Sequence, residues 1–188
     1  KAIYSKISYK YNEIFFPNSL RKAAVIMASS QNTKTDLIRK YAVEGNKIQV
    51  LYPGVNVCFR APGDDMALRD TRRKYNADSG YILHISSTDP RDNTAVVIRA
   101  FGRARQKLEI PQKLIIAGNV DPEGSGLKRL IAELNLKDRI LFTGYFSENQ
   151  TGELAALYQA ADLYVDPSLY EGFGFQVAEA LACGIPVI

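Results

Sequence analysis

The sequence is short of cysteine and of long apolar runs, and each shortage counts against a class of protein. Its two cysteines, Cys58 and Cys183, are too few for a disulfide framework and fit a reducing compartment. No run of about 18 apolar residues is present, so no membrane-spanning helix is predicted. The first residues, KAIYSKISYK, lack the apolar core of a signal peptide. The sequence therefore predicts neither a disulfide-rich secreted domain nor an integral membrane protein.

Apolar residues, by contrast, are abundant, and the charge is uneven. Hydrophobic residues make up 46% of the chain and charged residues 23%, which is typical of a soluble globular protein with a sizeable core. Residues 1–60 hold ten Lys/Arg and three Asp/Glu, whereas residues 61–188 hold fourteen and seventeen. A basic segment can face nucleic acid, anionic lipid or an anionic substrate. These charges are scattered, however, and a solvated basic surface is the simpler interpretation.

From Tyr81 onward, apolar strand-like runs alternate with helical patterns. Nearly continuous apolar strands in such an alternation predict a parallel sheet that is covered on both faces. The fold class is therefore α/β, with a Rossmann-like parallel sheet flanked by helices. The predicted strands are 81–87, 113–119, 139–144, 162–168 and the terminal GIPVI, and the predicted helices are 93–108, about 127–134, about 150–160 and one after the glycines near 173.

The first sixty residues have a different pattern. Strands are predicted at 23–30 and 47–54 around a helix in TKTDLIRKYAV, capped by Thr33 or Asn32 and preceded by an aromatic, basic helix. These elements resemble the end of a preceding α/β domain, with 56–65 as the linker. We therefore expect one domain in 1–58 and another in 59–188. Because the chain starts without methionine and stops inside GIPVI, we expect it to be part of a longer protein and inactive alone.

The candidate site follows from the expected sheet, because ligands of open parallel sheets bind at the carboxyl ends of strands. Four such edges carry polar or glycine-rich loops: SSTDPRDN, GNVDPEGSG, TGYFSEN and PSLYEGFGF. In the last of these loops, Gly172, Phe173 and Gly174 open a helix. Glycine lets the backbone approach a ligand, and a helix N-terminus attracts an anion. A diphosphate has the charge and size that this loop predicts.

Two glutamates flank this helix start. Glu171 precedes the helix and Glu179 lies about one and a half turns inside it, so helical rise separates them by roughly 8 to 12 Å. A carboxylate repels phosphate, and each glutamate is better suited to accept hydrogen bonds from sugar hydroxyls on either side of a diphosphate. A nucleotide sugar has such hydroxyls at both ends. The alternative is an ordinary strand-to-helix connection with Glu171 as a helix-end charge and Glu179 on the surface. The apolar, small-residue context favours the ligand.

The segment EGFGFQVAEALACGIPVI resembles the E-x(7)-E signature of the retaining, GT-B-fold glycosyltransferases of family four. VIMASSQNTKTDLIRKY, KIQVLYPGVNVCFRAP, LIIAGN and RILFTGYFSENQTGELAALYQAADLYVDPSLYEGFG resemble matching parts of that family in the expected order. The resemblance implies an incomplete GT-B C-terminal domain of a cytoplasmic enzyme of glycan biosynthesis. Its substrates would be a nucleotide-sugar donor and a glycan or lipid-linked acceptor, with no cofactor, metal or nucleic acid. The rest of the N-terminal domain would contact the inner face of a membrane.

The resemblance also implies roles for individual residues. Glu171 would contact the transferred sugar and is the predicted catalytic residue, and Glu179 would hold the ribose. Main-chain atoms would bind the remainder of the donor. The diphosphate would lie against Gly172, Phe173, Gly174 and Phe175, and the nucleobase would border Gly144, Tyr145 and Phe146. For Tyr145 and Phe146, ordinary turn packing is an equal alternative.

The loop after the first strand of this domain departs from the family pattern. In HISSTDPRDN, Asp92 occupies the position of the family's lysine, which neutralises the diphosphate. A carboxylate there would oppose the developing charge of the leaving group. The favoured hypothesis is that Arg91 takes over the lysine's role while Ser86 and Ser87 donate hydrogen bonds. Otherwise the loop points elsewhere, Arg91 pairs with Asp89 or Asp92, or the protein is a degenerate relative.

The remaining candidate residues favour a structural role. His84 is the only histidine and lies within a predicted strand, without a metal-ligand pattern, so a core histidine is predicted. Cys58 and Cys183 are predicted to be buried small residues rather than nucleophiles.

Three other functions stay open. Nucleotide-sugar epimerases and glycogen-type phosphorylases share the fold expected here. Asp92 and the basic first segment would also fit a non-catalytic nucleotide-sugar-binding subunit. Nucleic-acid binding is the weakest alternative, because the basic residues lack an aromatic platform on a known module.

Overall fold

The chain divides into two units. The computed structural model describes residues 6–188, with side chains from Glu13 onward. The first unit holds the residues up to Gly54 together with Glu171–Phe173, and the second holds Val55–Tyr170 and Gly174–Ile188. The boundary predicted between residues 58 and 59 lies four residues later in the chain than the division at Gly54.

The first unit is built around a two-stranded parallel sheet. Strand β1 pairs with β2, with Ile26 opposite Ile48. Ser30 caps the helix between them, because its hydroxyl accepts a hydrogen bond from the Thr33 amide at 3.1 Å. The predicted caps Thr33 and Asn32 were therefore wrong. The elements are α1 (Lys6–Lys22), β1 (Ile26–Ala28), α2 (Gln31–Tyr41) and β2 (Ile48–Val50).

The second unit is a four-stranded parallel sheet with helices between its strands. The strand order is β5-β4-β3-β6, which confirms the predicted α/β class. The terminal GIPVI contributes a parallel bridge from Val187 to Tyr164 at the outer side of β6. The elements are α3 (Asp65–Lys74), β3 (Tyr81–Ile85), α4 (Thr94–Leu108), β4 (Lys113–Ala117), α5 (Leu127–Glu133), β5 (Ile140–Gly144), α6 (Thr151–Gln159), β6 (Leu163–Tyr164) and α7 (Phe175–Ala182).

Two elements of this unit differ from the prediction. Strand β6 is only Leu163–Tyr164, whereas 162–168 was predicted, although the Val165 amide still donates to the Leu83 carbonyl at 2.9 Å and the Asp166 amide to the Ile188 carbonyl at 2.8 Å. Helix α3 was missed, and part of its sequence was assigned to the linker. None of its residues is fully buried, and only three of its ten residues, Met66, Ala67 and Leu68, are apolar, so its sequence shows little sign of a buried helix face.

Side chains of the central strands alternate between two cores. In β4, Leu114 and Ile116 pack with α4 and α5 on one face, while Ile115 and Ala117 pack with α6 and α7 on the other. All four of these side chains have no exposed surface. This two-sided burial accounts for the continuous apolar strand sequences.

A cluster of polar contacts joins the amino ends of β3, β4 and β6. The Arg72 guanidinium of α3 donates to the Ala160 carbonyl at 2.9 Å and to the Asp162 carboxylate at 2.6 Å. The Gln112 side-chain amide donates to the other Asp162 oxygen at 3.2 Å. We call these four residues the Asp162 clasp. It fixes the sheet at the edge opposite the carboxyl ends of the strands.

The strand order creates a crevice between the carboxyl ends of β3 and β6. The chain passes outward from β3 through β4 to β5 and then returns to β6 on the other side of β3. Ligands of open α/β sheets bind at such a reversal of strand order. The two loops here are joined by the Asn93 amide, which donates to the Pro167 carbonyl at 3.3 Å, and by the Leu169 amide, which donates to the Arg91 carbonyl at 2.9 Å.

The helices of residues 6–188 are too short or too polar to cross a membrane.

Candidate functional site

The start of α7 follows the loop from β6 and begins with glycine. Gly174 has φ +83°, a left-handed conformation that glycine adopts without the strain of a Cβ. It precedes Phe175, the first residue of the helix, and no side chain caps this end. The helix therefore directs main-chain N–H groups and its positive end toward the carboxyl edge of the sheet, as an anion requires. Both residues were predicted to bind diphosphate.

Glu179 lies in the middle of α7 and is only partly exposed. The hydroxyl of Tyr158, which is fully buried on α6, donates to Glu179 Oε2 at 3.0 Å. Burial raises the pKa of Glu179, while the hydrogen bond from Tyr158 opposes that rise. The carboxylate is thus oriented by a rigid core residue, as a group that binds sugar hydroxyls has to be.

Glu171, Gly172 and Phe173 belong to the first unit. Thr33 Oγ1 donates to the Gly172 carbonyl at 3.3 Å, and the Phe173 ring lies 6.3 Å from the Tyr52 ring. Glu171 is exposed in the turn that precedes these residues. Gly172 and Phe173, which were predicted to contact the diphosphate, are therefore held in part by side chains of α2 and of the segment after β2.

The loop after β3 places Ser86, Ser87 and Asp92 together. Asp92 Oδ2 accepts hydrogen bonds from the Ser87 amide at 2.6 Å and from the Ser87 hydroxyl at 2.7 Å. The Ser86 hydroxyl lies 2.5 Å from the Thr94 hydroxyl, at the first residue of α4. Both serines predicted to donate to the diphosphate thus bond within the chain here. The Asp92 carboxylate, which the family resemblance aligns with the lysine, thus accepts two hydrogen bonds from Ser87.

Arg91 pairs with a neighbouring carboxylate in this structure. Its guanidinium donates to Asp89 Oδ2 through Nε at 2.8 Å and through a terminal nitrogen at 2.5 Å. This pairing lowers the pKa of Asp89. It is the geometry of the alternative in which Arg91 forms a surface ion pair. To bind a diphosphate, the guanidinium would have to exchange Asp89 for it.

The loop after β5 presents main chain and one aromatic ring. Gly144 ends the strand with φ +82°, and nothing lies within 4 Å of a Cβ built there. The Tyr145 side chain is 69% exposed, whereas Phe146 is partly buried and packs against the core. Turn packing therefore accounts for Phe146 and leaves Tyr145 available at the edge.

Gly118 lies between the loops at this edge of the sheet, and no role was predicted for it from the sequence. It follows β4 with φ +112°, and a Cβ there would collide with the main-chain carbonyl oxygen of Ser86. Its amide also donates to the Gly144 carbonyl at 2.9 Å. Only glycine lets the loops after β3, β4 and β5 approach so closely. A glycine directly after a buried strand was the available signal.

The remaining singled-out side chains lie in the core. His84 is 1% exposed, which confirms the prediction of a core histidine, and burial lowers its pKa. Cys183 is fully buried as predicted, and burial raises the pKa of its thiol to about 11. Cys58 is only partly buried, so the prediction that it is a buried residue was wrong. Within residues 6–188, no three His, Cys, Asp or Glu side chains gather as a metal site would require.

Comparison with known protein families identifies this arrangement. A family model described as glycosyl transferases group 1 matches residues 69–188, which include the crevice, α7 and both glutamates. The chain belongs to the glycosyl transferases group 1 family. The match confirms the expected resemblance at the level of the group 1 glycosyl transferases.

Curated relatives of this group 1 chain are glycosyltransferases by name. It is 35% identical over 175 residues to the D-inositol 3-phosphate glycosyltransferase of Salinispora tropica, covering 84% of this chain and 35% of the relative. It is 28% identical over 182 residues to the O-antigen chain mannosyltransferase B of Escherichia coli, covering 95% of this chain and 46% of the relative. The chain thus spans between about a third and a half of these relatives.

A solved structure confirms the fold of the group 1 chain. Anabaena HepE, in complex with UDP and glucose, superposes with a TM-score of 0.79 at 23% identity, over 95% of this chain and 47% of HepE. At this level of identity the likeness establishes the architecture alone.

Proposed function

We propose that the complete gene product containing this chain transfers a sugar from a nucleotide-sugar donor to an acceptor hydroxyl, with retention of the anomeric configuration. One observation carries the proposal: the glycine-led start of α7 follows the loop from β6, which is a strand at the reversal of strand order, and Glu179 lies on the same helix. The family match of residues 69–188 supports it. HepE, with the same fold, was crystallised with UDP and glucose.

In the proposed complex, the donor diphosphate binds the main chain of Gly172–Phe175. Glu179 accepts hydrogen bonds from the ribose, Glu171 contacts the transferred sugar, and the nucleobase borders the main chain of Gly144–Phe146. Arg91 is proposed to exchange Asp89 for the diphosphate. These roles follow the residue chemistry: amides and a helix N-terminus bind anions, and carboxylates accept from hydroxyls.

The proposed mechanism relies on charge stabilisation. The bond between the sugar and the diphosphate breaks while positive charge builds on the sugar ring, and the acceptor hydroxyl enters on the face from which the diphosphate leaves. The start of α7 would stabilise the departing diphosphate, and the Glu171 carboxylate would orient the sugar and stabilise its cationic character. The acceptor is proposed to be a glycan or a lipid-linked glycan, and the protein to work in the cytoplasm at the inner face of a membrane.

The first test removes the two glutamates separately. In the complete gene product, we expect Glu171→Ala and Glu179→Ala each to lower the transfer rate by about 100-fold or more, because each removes a contact to the donor. Glu133→Ala is the matched control, since Glu133 is an exposed residue of α5 that pairs with Arg129. Glu171→Ala and Glu133→Ala should keep the wild-type melting temperature, while Glu179→Ala should stay folded but lose about 1 kcal/mol of stability, because it removes the partner of the buried Tyr158 hydroxyl. Wild-type rates in both variants would refute the assigned site.

Donor and stereochemistry need separate measurements. Titration with UDP-, GDP- and ADP-sugars identifies the donor as the nucleotide sugar whose affinity falls when Glu179 is replaced. The anomeric proton of the product, observed by NMR at early times, reports whether configuration is retained. An inverted product would contradict the retaining mechanism while leaving the donor site intact.

A non-catalytic nucleotide-sugar-binding subunit is a second candidate. The observation that favours it is the carboxylate of Asp92 in the position of the family's lysine, together with the pairing of Arg91 with Asp89. Donor binding by calorimetry without turnover in the complete gene product would support this candidate over the enzyme.

A further inference from the structure

A row of four polar side chains leads from the interior of β3 to the loop that follows it. His84 Nε2 lies 3.2 Å from the Thr94 hydroxyl, which lies 2.5 Å from the Ser86 hydroxyl, which lies 3.4 Å from Asp92 Oδ2. His84, Thr94 and Ser86 are buried, with 1%, 8% and 5% of their surface exposed. We call these four residues the His84–Asp92 row. None of the proposed donor contacts requires its inner half.

When the imidazole is neutral, the hydroxyl groups of Ser86 and Thr94 donate their hydrogens in the direction of His84. His84 Nδ1 lies 3.0 Å from the Val165 carbonyl, which only accepts, so Nδ1 carries the hydrogen. Burial lowers the pKa of His84, and Nε2 of the neutral ring is then an acceptor. Thr94 therefore donates to Nε2, and Ser86 donates to Thr94. In this state Ser86 has no hydrogen left for Asp92.

The outer end of the row then carries a full negative charge. Asp92 keeps only the amide and the hydroxyl of Ser87 as close donors among the described hydrogen bonds. This carboxylate lies at the carboxyl end of β3, at the crevice where the donor diphosphate is proposed to bind. An anion that arrives at this edge is repelled by it.

We propose that the row takes up one proton, on Nε2 of His84, when a nucleoside diphosphate binds at this edge. The inference rests on the proposed function. The proton comes from solvent, and the N–H bond is the single covalent bond that forms. Nε2 then donates to Thr94, Thr94 to Ser86, and Ser86 to Asp92, because each hydroxyl hydrogen rotates about its C–O bond.

The reversal changes the charge of the row from −1 to neutral. His84 thereby supplies, through two hydroxyls, the positive charge that a lysine at the position of Asp92 would supply directly. His84 and Thr94 do not touch the donor in this scheme. They are positioning residues, which act through Ser86 and Asp92.

The charges around His84 permit this uptake. Burial is the largest effect on the pKa of His84 and lowers it, while the hydrogen bond with the Val165 carbonyl and the charges of Asp166, after β6, and Asp92 raise it. Thr94 on α4 and Ile116, the β4 residue paired with His84, carry no charge. The negative charge of an anion bound at this edge also raises the pKa of His84, because a nearby opposite charge favours the protonated ring. A bound diphosphate therefore shifts the ring toward its protonated form.

Calorimetry measures the proposed uptake. Binding of UDP, GDP or ADP to the chain is measured at pH 8 in buffers of different ionisation enthalpy, because these diphosphates are fully ionised there. We expect an uptake that approaches one proton per chain, and an affinity that falls up to tenfold for each further unit of pH. The chain holds one histidine, so the imidazole nitrogens observed by NMR report protonation of His84 directly.

Thr94→Val is the decisive variant, because valine keeps the shape of threonine and removes the hydroxyl that links His84 to Ser86. We expect proton uptake to be lost and binding to become independent of pH. Asp92→Asn should also lose uptake but bind more tightly, because the repelling charge is gone. Thr71→Val is the matched control, since its hydroxyl bonds the Ala67 carbonyl within α3, and it should behave as wild type.

The two possible failures are distinguishable. A diphosphate that binds without proton uptake, with His84 still neutral in the NMR spectrum, overturns the inference and leaves the proposed function standing. Absence of binding by all three diphosphates, in the complete gene product as well, overturns both.

Discussion

At the residue scale, the hydrogen bond from Tyr158 to Glu179 links the core to the proposed donor site. In Tyr158→Phe, Glu179 loses the hydrogen bond that stabilises its charged form, and burial then raises its pKa further. A protonated carboxyl is a poorer acceptor for ribose hydroxyls. As the pH falls, the donor affinity of Tyr158→Phe should therefore begin to decrease at a higher pH than that of the wild-type protein. Titration of the donor between pH 5 and 8 measures this shift.

Tyr81→Phe is the matched control for this variant. The Tyr81 hydroxyl is also fully buried and bonds α6, through the Leu157 carbonyl at 2.5 Å, but does not contact Glu179. Both variants should lose about 1 kcal/mol of stability. A shifted pH profile in both, or in neither, would contradict the role assigned to Tyr158.

The residue scale also limits what a sequence alone predicts about the site. The spacing of Glu171 and Glu179 and the glycines between them are visible because they are neighbours in one segment. Tyr158, Gly118 and Thr94 contribute through contacts with residues 8 to 32 positions away in the chain, or across the sheet. Such contacts follow from the packing of the strands, and no local sequence pattern predicts them.

At the element scale, the close approach of the loops after β3 and β4 depends on Gly118. Alanine there combines the strain of a positive φ, about 1–2 kcal/mol, with a collision against the Ser86 carbonyl. Gly126→Ala is the control, because Gly126 has φ +75° and open space around a Cβ. We expect Gly118→Ala to lower the free energy of unfolding by at least about 1 kcal/mol more than Gly126→Ala, and donor affinity to fall in Gly118→Ala alone. Chemical denaturation and calorimetry measure the two effects.

The elements that the sequence predicted well are those with buried faces. Helix α4 has apolar residues at helical spacing, and strands β3 and β4 are nearly continuous apolar runs, because both faces of the sheet are covered. Helix α3 was missed because it lies on the surface, and β6 was predicted too long because its main-chain hydrogen bonds to neighbouring segments end at Asp166, where Pro167 has no N–H to continue them. Tertiary packing decided these two elements.

At the scale of the whole molecule, acid sensitivity should depend on one side chain. Burial lowers the pKa of His84 in the native state, whereas in the unfolded chain the imidazole titrates near its ordinary pKa of about 6.5. The unfolded state thus binds more protons, and stability falls with pH below that value by up to about 1.4 kcal/mol per unit. Denaturant unfolding of the chain between pH 5.5 and 7.5 measures this slope.

The slope should disappear in His84→Gln, since the chain holds no other histidine. Glu179 acts in the opposite sense, because its raised pKa lets the native state hold a proton at a pH where the unfolded chain has lost it. The variant Glu179→Gln separates that contribution. An unchanged slope in His84→Gln would show that the acid response originates elsewhere.

The Asp162 clasp lies at the strand starts, on the edge away from the crevice. Directed evolution of donor preference can therefore hold these four positions constant and randomise the loops after β3, β5 and β6. The contacts of the Asp162 clasp would keep the protein folded when loop substitutions that change its specificity also lower its stability. A library built in this way should retain more folded members than one that randomises both edges.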